Sequence, residues 1–395
     1  MIRTYRCRVK LSRSGHEALS RVFQMCADLY NACLEERIDC YRKTGRSRTY
    51  YDQCKALTEV RADDPEYENI SVQVFRGAVG RIDKAFQSFF RRLKNKEKAG
   101  LPRFRKGKRW RTIEINDQCW KMLKRQGDKL ILKIKGFPRI EVKTSRELPP
   151  NTMLKAIRIT RKPLRTEVAL SYELADVQPS TEITNPVGID AGISKRLTLS
   201  NRKTVEKREI DRCKIIRLQR SVSRKKKDSN NRRKAVSLLA KEWQRVADGE
   251  RGYLHRLTAE LVKMHDFIAV EKLKTKNMLR NRNLARSISE QAWGRLMTLL
   301  NEKAESAGVK MVYVDPRDTS QECSSCGAIV KKSLSVRTHK CDCGIEIDRD
   351  VNAALNILHR GISIAGGNIT HMAGRMKEKQ SDVGTVRPRT VEATV

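Results

Sequence analysis

The sequence predicts a mixed fold, with an α/β domain in the second half preceded by a helical region and a small β-rich region. Apolar residues recur at helical spacing up to about residue 97, and short alternating runs follow from 111. After residue 187, short apolar strands alternate with long helical stretches, which is typical of α/β domains. The 395 residues allow two or three such domains.

The N-terminal region is predicted to contain one strand, two long helices and a basic loop. Residues 2–10 alternate as a short strand, and helices are expected over 15–43 and 70–97. The segment 91–111 contains glycine and proline, so it is predicted to be a loop. The apolar residues with helical spacing are Leu19, Phe23, Cys26, Tyr30 and Cys33, then Val72, Phe75, Val79, Ile82, Phe86 and Phe89.

The middle of the chain is predicted to form a small antiparallel barrel or sheet, because alternating runs favour half-buried strands. A linker is expected over 175–186, which contains Pro179 and Pro186. The runs are Thr112–Ile115, Leu130–Ile134, Ile140–Val142, Ala156–Thr160 and Glu167–Tyr172.

The α/β region is predicted from alternating strands and helices, without internal repeats. Residues after about 363 lose periodicity and are expected to form a mobile tail. In chain order the predicted elements are a strand at 187–190, its hairpin partner at 197–199, a helical region at 206–264, a strand at 267–270, a helix at 288–306, a strand at 309–314 and a helix at 350–359.

The charge of the chain points to a polyanionic partner. It has 84 Lys and Arg against 46 Asp and Glu, a formal net charge of +38. Nucleic acid neutralises such a charge and releases counterions on binding. A basic membrane-surface protein is the alternative, but the charge is spread over the whole length. Ten basic residues are candidate phosphate contacts, and the alternative is that they are solvated surface charges. They are Arg91, Arg92, Arg103, Arg105, Arg224, Lys225, Lys226, Lys227, Arg232 and Arg233.

The chain shows no sign of export or membrane insertion. Its N-terminus lacks the apolar core of a signal peptide, and no run approaches the roughly 20 apolar residues of a membrane span. We therefore expect a cytoplasmic protein, without disulfides. Seven cysteines that stand singly are interpreted as small core residues: Cys7, Cys26, Cys33, Cys40, Cys54, Cys119 and Cys213.

Three carboxylates stand where side chains from distant segments can converge. Asp190 and Glu271 each end a short apolar strand, and Asp350 opens a helix. Together they can hold two Mg²⁺ or Mn²⁺ ions about 4 Å apart, as in metal-assisted phosphodiester hydrolysis. Asp350 could instead be a helix cap, although Asp348 could fill that role. The order of strands, helices and carboxylates matches a ribonuclease-H-like layout.

Four clustered cysteines predict a structural zinc site. Cys323 and Cys326 form one pair, and Cys341 and Cys343 follow after fourteen intervening residues. Two such pairs in a cytosolic protein are typical of a closed tetrahedral zinc ribbon. The second pair has one residue between its cysteines where two are usual, and His339 is a fallback ligand.

Several stretches closely resemble the TnpB family of transposon-encoded proteins, over roughly residues 1–360. The cysteine pairs with the run around Asp350 are the most specific part, and two strand ends resemble motifs of the family's RuvC nuclease domain. The stretches are Thr319–Leu358, Val187–Gly192, Ile268–Leu273, and Phe89–Arg92 with Gly100–Phe104.

The resemblance implies an RNA-guided DNA endonuclease related to the type V CRISPR effectors. Its partners would be a guide RNA from the transposon end and target DNA next to a short motif. The protein would be a monomer in its RNA complex, cytoplasmic and on the nucleoid when acting. The implied domains are a wedge-like β-barrel (1–10 and 111–180), a helical recognition lobe inserted in it (11–110), a ribonuclease-H-like (RuvC) nuclease domain (181–316 and 345–362), an inserted zinc ribbon (317–344) and the tail (363–395).

Two other functions remain open at this point. The same carboxylates also serve strand transfer, so a DNA transposase is one alternative. A transposase would join DNA ends rather than leave simple cuts, and its activity would not require a bound RNA. Some members of the family lack these carboxylates and act as RNA-guided repressors. A regulator of that kind would be indifferent to Asp190→Ala. The presence of Asp190, Glu271 and Asp350 favours cleavage.

Overall fold

A computed structural model describes residues 1–116, 120–126, 129–144, 148–149, 152–179, 182–273, 275–281, 283–333 and 335–366. The predicted mobile tail lies outside the described residues from 367 onward, as does Cys119. Contacts divide the chain into two units, each with its own hydrophobic core. The first unit contains Met1–Ala175 and Lys214–Gln244, and the second contains Asp176–Cys213 and the chain from Arg245 onward.

The first unit contains a seven-stranded sheet in which every neighbouring pair is antiparallel. The predicted strands are present, and one more, β3, was not predicted because a register shift between Met122 and Lys124 interrupts its alternation. The order is β2-β6-β7-β1-β5-β4-β3. The strands are β1 (Ile2–Lys10), β2 (Thr112–Asn116), β3 (Trp120–Gln126), β4 (Lys129–Ile134), β5 (Ile140–Lys143), β6 (Leu154–Arg161) and β7 (Thr166–Glu173).

Four helices lie between β1 and β2. They are α1 (Arg13–Thr44), α2 (Tyr50–Asp63), α3 (Pro65–Glu68) and α4 (Val72–Lys94), followed by a short 3-10 helix (Gly107–Arg109). The two long helices were predicted, and their apolar faces fill the core of this unit. Helix α2 was not predicted, since its clearest sequence signal is a pair of capping residues rather than a long apolar pattern. Thr49 and Asp52 cap its first turn reciprocally through side chain and backbone.

The predicted helical region at 206–264 forms two helices after a short strand. They are α5 (Cys213–Ser223) and α6 (Asn230–Met264). The chain between them includes Asp228 at a φ of 63°, a left-handed conformation that an α-helix cannot contain.

The second unit contains a five-stranded mixed sheet. Strand β8 pairs with β9 in an antiparallel hairpin, as predicted, and β9 pairs likewise with β10. Strand β11 lies parallel between β8 and β12, so the order is β10-β9-β8-β11-β12. The strands are β8 (Pro186–Asp190), β9 (Leu197–Leu199), β10 (Thr204–Val205), β11 (Phe267–Glu271) and β12 (Lys310–Val314).

Helices and a small hairpin complete the second unit. The predicted helix at 288–306 is two helices, because Ala292 has a left-handed φ of 53°. None of the helices within the described residues is long and apolar enough to span a membrane. The elements are α7 (Thr275–Met278), α8 (Ala285–Gln291), α9 (Trp293–Ala307), the hairpin strands β13 (Thr338–Lys340) and β14 (Glu346–Asp348), and α10 (Arg349–Ile364).

Candidate active site and cysteine cluster

Sheet register places Asp190 and Glu271 side by side. Strands β8 and β11 are parallel, and Ile189 pairs with Val270, one residue before each carboxylate. Neighbouring strands lie about 4.8 Å apart, and matched residues of parallel strands point to the same face. Both carboxylates therefore leave the carboxyl edge of the sheet in the same direction.

Helix α10 brings the third carboxylate to this face. A Cβ on Gly188 would lie 2.1 Å from the carbonyl oxygen of Ala354, and one on Gly361 would lie 2.4 Å from the Cβ of Ala269. Glycine at both positions therefore lets the helix lie directly on β8 and β11. The helix runs from the carboxyl edge toward the other end of these strands, so Asp350 in its first turn lies at the edge that holds the other two carboxylates.

The cap of α10 is Asp348. Its carboxylate accepts hydrogen bonds from the backbone N–H groups of Asp350 (2.8 Å) and Val351 (3.3 Å). These bonds satisfy two of the four orphan donors at the start of the helix. The Asp350 carboxylate, which has Arg349 Nε at 3.7 Å, is therefore not needed as a cap and is available for a ligand.

The charges of Glu271 and Asp350 both act on Asp190, as expected from the sheet register and helix packing that bring the three carboxylates to one edge. Burial, followed by the charges of Glu271 and Asp350, raises the pKa of Asp190 to about 8, against the effects of Arg349 and the Ala191 N–H. Burial also raises the pKa of Glu271, although a hydrogen bond from Thr319 and the charge of Arg360 lower it. Carboxylates that repel each other are stabilised in their charged form by a cation. Their oxygens are the ligands that Mg²⁺ and Mn²⁺ prefer.

The four predicted cysteines lie together. The Sγ atoms of Cys323 and Cys343 are 3.6 Å apart, as are those of Cys326 and Cys341, and all four lie within 4.8 Å of one another. A tetrahedral zinc site with Zn–S bonds of 2.3 Å has sulfur–sulfur distances of about 3.8 Å, so the cluster fits zinc. Within the described parts of the chain, no other set of three candidate ligands is this tight, so the carboxylates are more widely spaced.

The shortened second cysteine pair is accommodated by a tighter turn. The N–H of Gly327 donates to the carbonyl of Cys323, four residues back, whereas that of Gly344 donates to Cys341, three residues back. Both glycines have left-handed φ values, 78° and 88°. One fewer residue therefore still turns the chain and presents both sulfurs.

Cys323 is the buried cysteine of the cluster, and hydrogen bonds to its sulfur favour the thiolate form. Burial raises its pKa, but the N–H groups of Cys326 and Ser325 and the ring of His339 outweigh this and lower the pKa to about 6. His339, the fallback ligand, is fully buried and contacts Lys332 through Nδ1. It therefore lies beside the four-cysteine set without replacing a member of it.

All ten candidate phosphate contacts lie in the first unit. Arg91 and Arg92 are exposed in the last turn of α4, and Arg103 and Arg105 are exposed in the basic loop. Arg105 is anchored, because its backbone N–H and carbonyl bond the side chain of Asn31 at 2.7 and 2.8 Å. The others lie around the start of α6: Arg224, Lys226, Lys227 and Arg233 are exposed, and Lys225 and Arg232 are half-buried.

Other residues of functional interest were missed by the sequence analysis. Phe90 and Phe104 are 56% and 59% exposed between the arginines of α4 and the loop, an arrangement suited to stacking on bases. Their signal was the alternation of aromatic and basic residues. Thr319 donates a hydrogen bond to Glu271, and the charge of Arg360 lowers the pKa of Glu271. Both interactions depend on tertiary structure that spacing does not reveal.

Comparison with known proteins agrees with these features. Residues 169–282 match the family model "Probable transposase", and residues 293–357 match the model "Cas12f1-like, TNB domain". The chain is 32% identical to a "Putative RNA-guided DNA endonuclease" of Streptomyces pristinaespiralis, over 87% of this chain and 86% of that protein. It is 27% identical to the "Putative RNA-guided DNA endonuclease InsQ" of Escherichia coli strain K12, over 87% of each.

A solved structure shares the fold. The Cas12f1 protein in a cryo-EM complex with sgRNA and target DNA superposes with a TM-score of 0.52, at 16% identity, over 88% of this chain and 83% of that one. The identity over most of the length of a curated relative is sufficient to assign the family. The chain belongs to the TnpB family.

Proposed function

We propose that this chain is an RNA-guided DNA endonuclease that cuts target DNA next to a short flanking motif by two-metal phosphodiester hydrolysis. The observation that carries the proposal is the meeting of Asp190, Glu271 and Asp350 at the carboxyl edge of the parallel strands β8 and β11. The names of the relatives and the high net positive charge support nucleic-acid partners. We infer a guide RNA from the transposon end as the source of sequence specificity.

The proposed nuclease domain is ribonuclease-H-like (RuvC), covering 181–316 and 345–362. Its support is a five-stranded sheet with an antiparallel hairpin edge, two parallel strands beside it and a helix that carries the third carboxylate. The zinc ribbon over 317–344 is a structural insert. We further propose a wedge over 1–10 and 111–180 that binds RNA, with a recognition lobe over 11–110.

The proposed chemistry assigns each carboxylate a role. Asp190, Glu271 and Asp350 bind two Mg²⁺ (or Mn²⁺) ions, which when bound supply an activated water and a charge partner for the leaving 3′-oxygen. Burial and the charges of Glu271 and Asp350 raise the pKa of Asp190. Asp190 must therefore lose its proton before it binds a metal ion. The four cysteines hold Zn²⁺ in a closed site, so they stabilise the ribbon without taking part in the reaction.

The first experiment is to purify the protein from cells that carry its native flanking DNA and to sequence the small RNA that accompanies it. A discrete RNA that maps next to the gene, and that directs cleavage of matching DNA in Mg²⁺, is the expected result. Random RNA, or cleavage independent of RNA, would contradict the proposal.

A strand-transfer transposase is the second candidate, because one matching family model describes a "Probable transposase" over 169–282. The cleavage products separate the two functions. Simple cuts at a site set by the guide support the endonuclease, and DNA ends joined to a new target support the transposase. A non-cleaving RNA-guided regulator would bind the guided DNA without cutting it, and Asp190→Ala would leave its function unchanged.

A further inference from the structure

One face of helix α10 holds a segment that links the cysteine cluster to the carboxylates. Asn352, Asn356 and Arg360 are spaced by four residues, so they lie on the same face of the helix. All three bond residues 315–324, which connect β12 to the first cysteine pair. We call these residues the bridging segment.

The two asparagines hold the end of the bridging segment that carries the cysteines. Both amide groups donate to the carbonyl of Glu322, at 2.7 Å from Asn352 and 2.6 Å from Asn356. Asn356 also donates to the carbonyl of Thr319 at 2.9 Å, and the Asn352 oxygen accepts from the N–H of Ser324 at 3.0 Å. Both asparagines are buried, so the loss of these bonds would leave polar groups unsatisfied.

Arg360 holds the other end. Its guanidinium donates to the carbonyls of Asp315 (3.1 Å) and Arg317 (2.6 Å) and forms an ion pair with the Glu322 carboxylate. The bridging segment is therefore fixed to α10 at both ends. Its C-terminal end contains Cys323, the buried cysteine of the cluster.

Thr319, in the middle of the bridging segment, contacts the catalytic cluster. Its Oγ1 lies 2.6 Å from Glu271 Oε1 and 3.3 Å from the carbonyl of Pro316. A hydroxyl has one proton, and the shorter contact to the ionisable carboxylate is the stronger bond. Thr319 therefore donates to Glu271, and both side chains are buried. The other oxygen of Glu271 remains for a metal ion.

We infer that Thr319 is a positioning residue for Glu271, and that the bridging segment couples zinc binding at the cysteine cluster to metal binding at the carboxylates. The inference rests on the proposed function. Zinc fixes Cys323, the asparagines transmit that position to Thr319, and Thr319 holds one oxygen of Glu271. Loss of zinc releases one end of the segment and weakens the orientation of Glu271.

The first test compares two substitutions at Thr319. Thr319→Val keeps the shape and removes the hydroxyl, whereas Thr319→Ser keeps the hydroxyl. Binding of Mn²⁺ to the full-length RNA-free chain is followed by the electron paramagnetic resonance signal of free Mn²⁺, with Asp190→Ala defining background. We expect Thr319→Val to weaken Mn²⁺ binding about tenfold, as expected for a lost bond to a charged group, and Thr319→Ser to restore it. Mn²⁺ binding by Thr319→Val equal to wild type would overturn the positioning role.

The second test concerns the coupling. Cys326→Ser changes an exposed ligand outside the bridging segment, so none of the bonds described above is removed directly. We expect this variant to lose zinc by elemental analysis and to bind Mn²⁺ about as weakly as Thr319→Val. The double variant should be no weaker than either single variant, because both act through one contact. Zinc loss with unchanged Mn²⁺ affinity, or fully additive effects, would overturn the coupling.

A cleavage assay keeps this inference separate from the proposed function. With guide RNA bound, the Mg²⁺ concentration for half-maximal cleavage rate should be higher for Thr319→Val than for wild type. The rate at saturating Mg²⁺ should differ less. If wild type binds Mn²⁺ through Asp190 but does not cleave DNA, the proposed function fails. The comparison of Mn²⁺ binding by Thr319→Val and Thr319→Ser still decides the role of Thr319.

Discussion

The carboxylate site and the cysteine cluster are both suited to metal ions, but they are assembled in opposite ways. The cysteines come from one short stretch, and two tight turns bring their sulfurs to within 4.8 Å. The carboxylates come from two strands and a helix far apart in the chain, and they meet only through sheet register and close helix packing. The cluster therefore depends on local turns and on its metal, whereas the carboxylate site depends on the folded core of the second unit.

The largest expected effect tests whether the three carboxylates are the reacting centre. Asp350→Ala should lower guided cleavage in Mg²⁺ by about a thousandfold or more, since metal ions supply several kcal/mol of stabilisation in such reactions. The same result is expected for Asp190→Ala and Glu271→Ala, with RNA and DNA binding retained. The matched control is Asp348→Asn, which should keep most activity because asparagine also caps helices. Full activity of all three alanine variants would show that the site lies elsewhere.

The next prediction tests zinc binding by the cysteine cluster. Cys323→Ser should lose bound zinc, measured by elemental analysis of the purified protein, because a closed thiolate site needs all four ligands. Cys213→Ser is the control, since Cys213 is exposed at the start of α5 and stands apart from the cluster. Equal zinc in both variants would rule out the four-cysteine assignment.

The dependence of the carboxylate site on packing can be tested at Gly188. Gly188→Ala places a Cβ against the backbone of α10, so the helix must shift or the protein must lose about 1–3 kcal/mol of stability. A lower Tm and reduced cleavage are expected together. Gly252→Ala is the control, because the nearest atom to its Cβ is 3.9 Å away on a flexible arginine and alanine favours the helix. An unchanged Tm for Gly188→Ala would contradict the close packing.

The smallest effect concerns pH and the metal-free site. Because the pKa of Asp190 is raised to about 8 in the folded state, the folded chain keeps a proton that the unfolded chain releases above about pH 4. The free energy of unfolding should therefore fall as pH rises from about 4 to 8. Urea unfolding in buffer free of Mg²⁺ and of chelator, which spares zinc, measures this slope. Asp190→Asn should have a shallower slope, and added Mg²⁺ should reduce the slope in wild type. Identical slopes for both proteins would contradict the prediction.

The sequence predicted the positions of the candidate residues in the fold better than the contacts that arrange them. The cysteines were evident from spacing alone, and Asp190 and Glu271 from their positions at strand ends. The break at Ala292 was missed because a left-handed alanine has no sequence signal. Helix α2 was missed because it buries only Gln53 and Leu57, so its apolar pattern is weak. Thr319 was part of a recognised motif, but its bond to Glu271 arises only when β11 and the bridging segment meet in the fold.

The glycines at 188 and 361 have a consequence for how the protein tolerates change. Main chain and small atoms, rather than large side chains, define the distance between α10 and the sheet. A larger residue at either glycine would therefore displace the helix, whereas a size change at a surrounding leucine or valine would leave a cavity or strain beside it. Stabilisation of the second unit should therefore start from core substitutions that conserve volume, with the two glycines left in place.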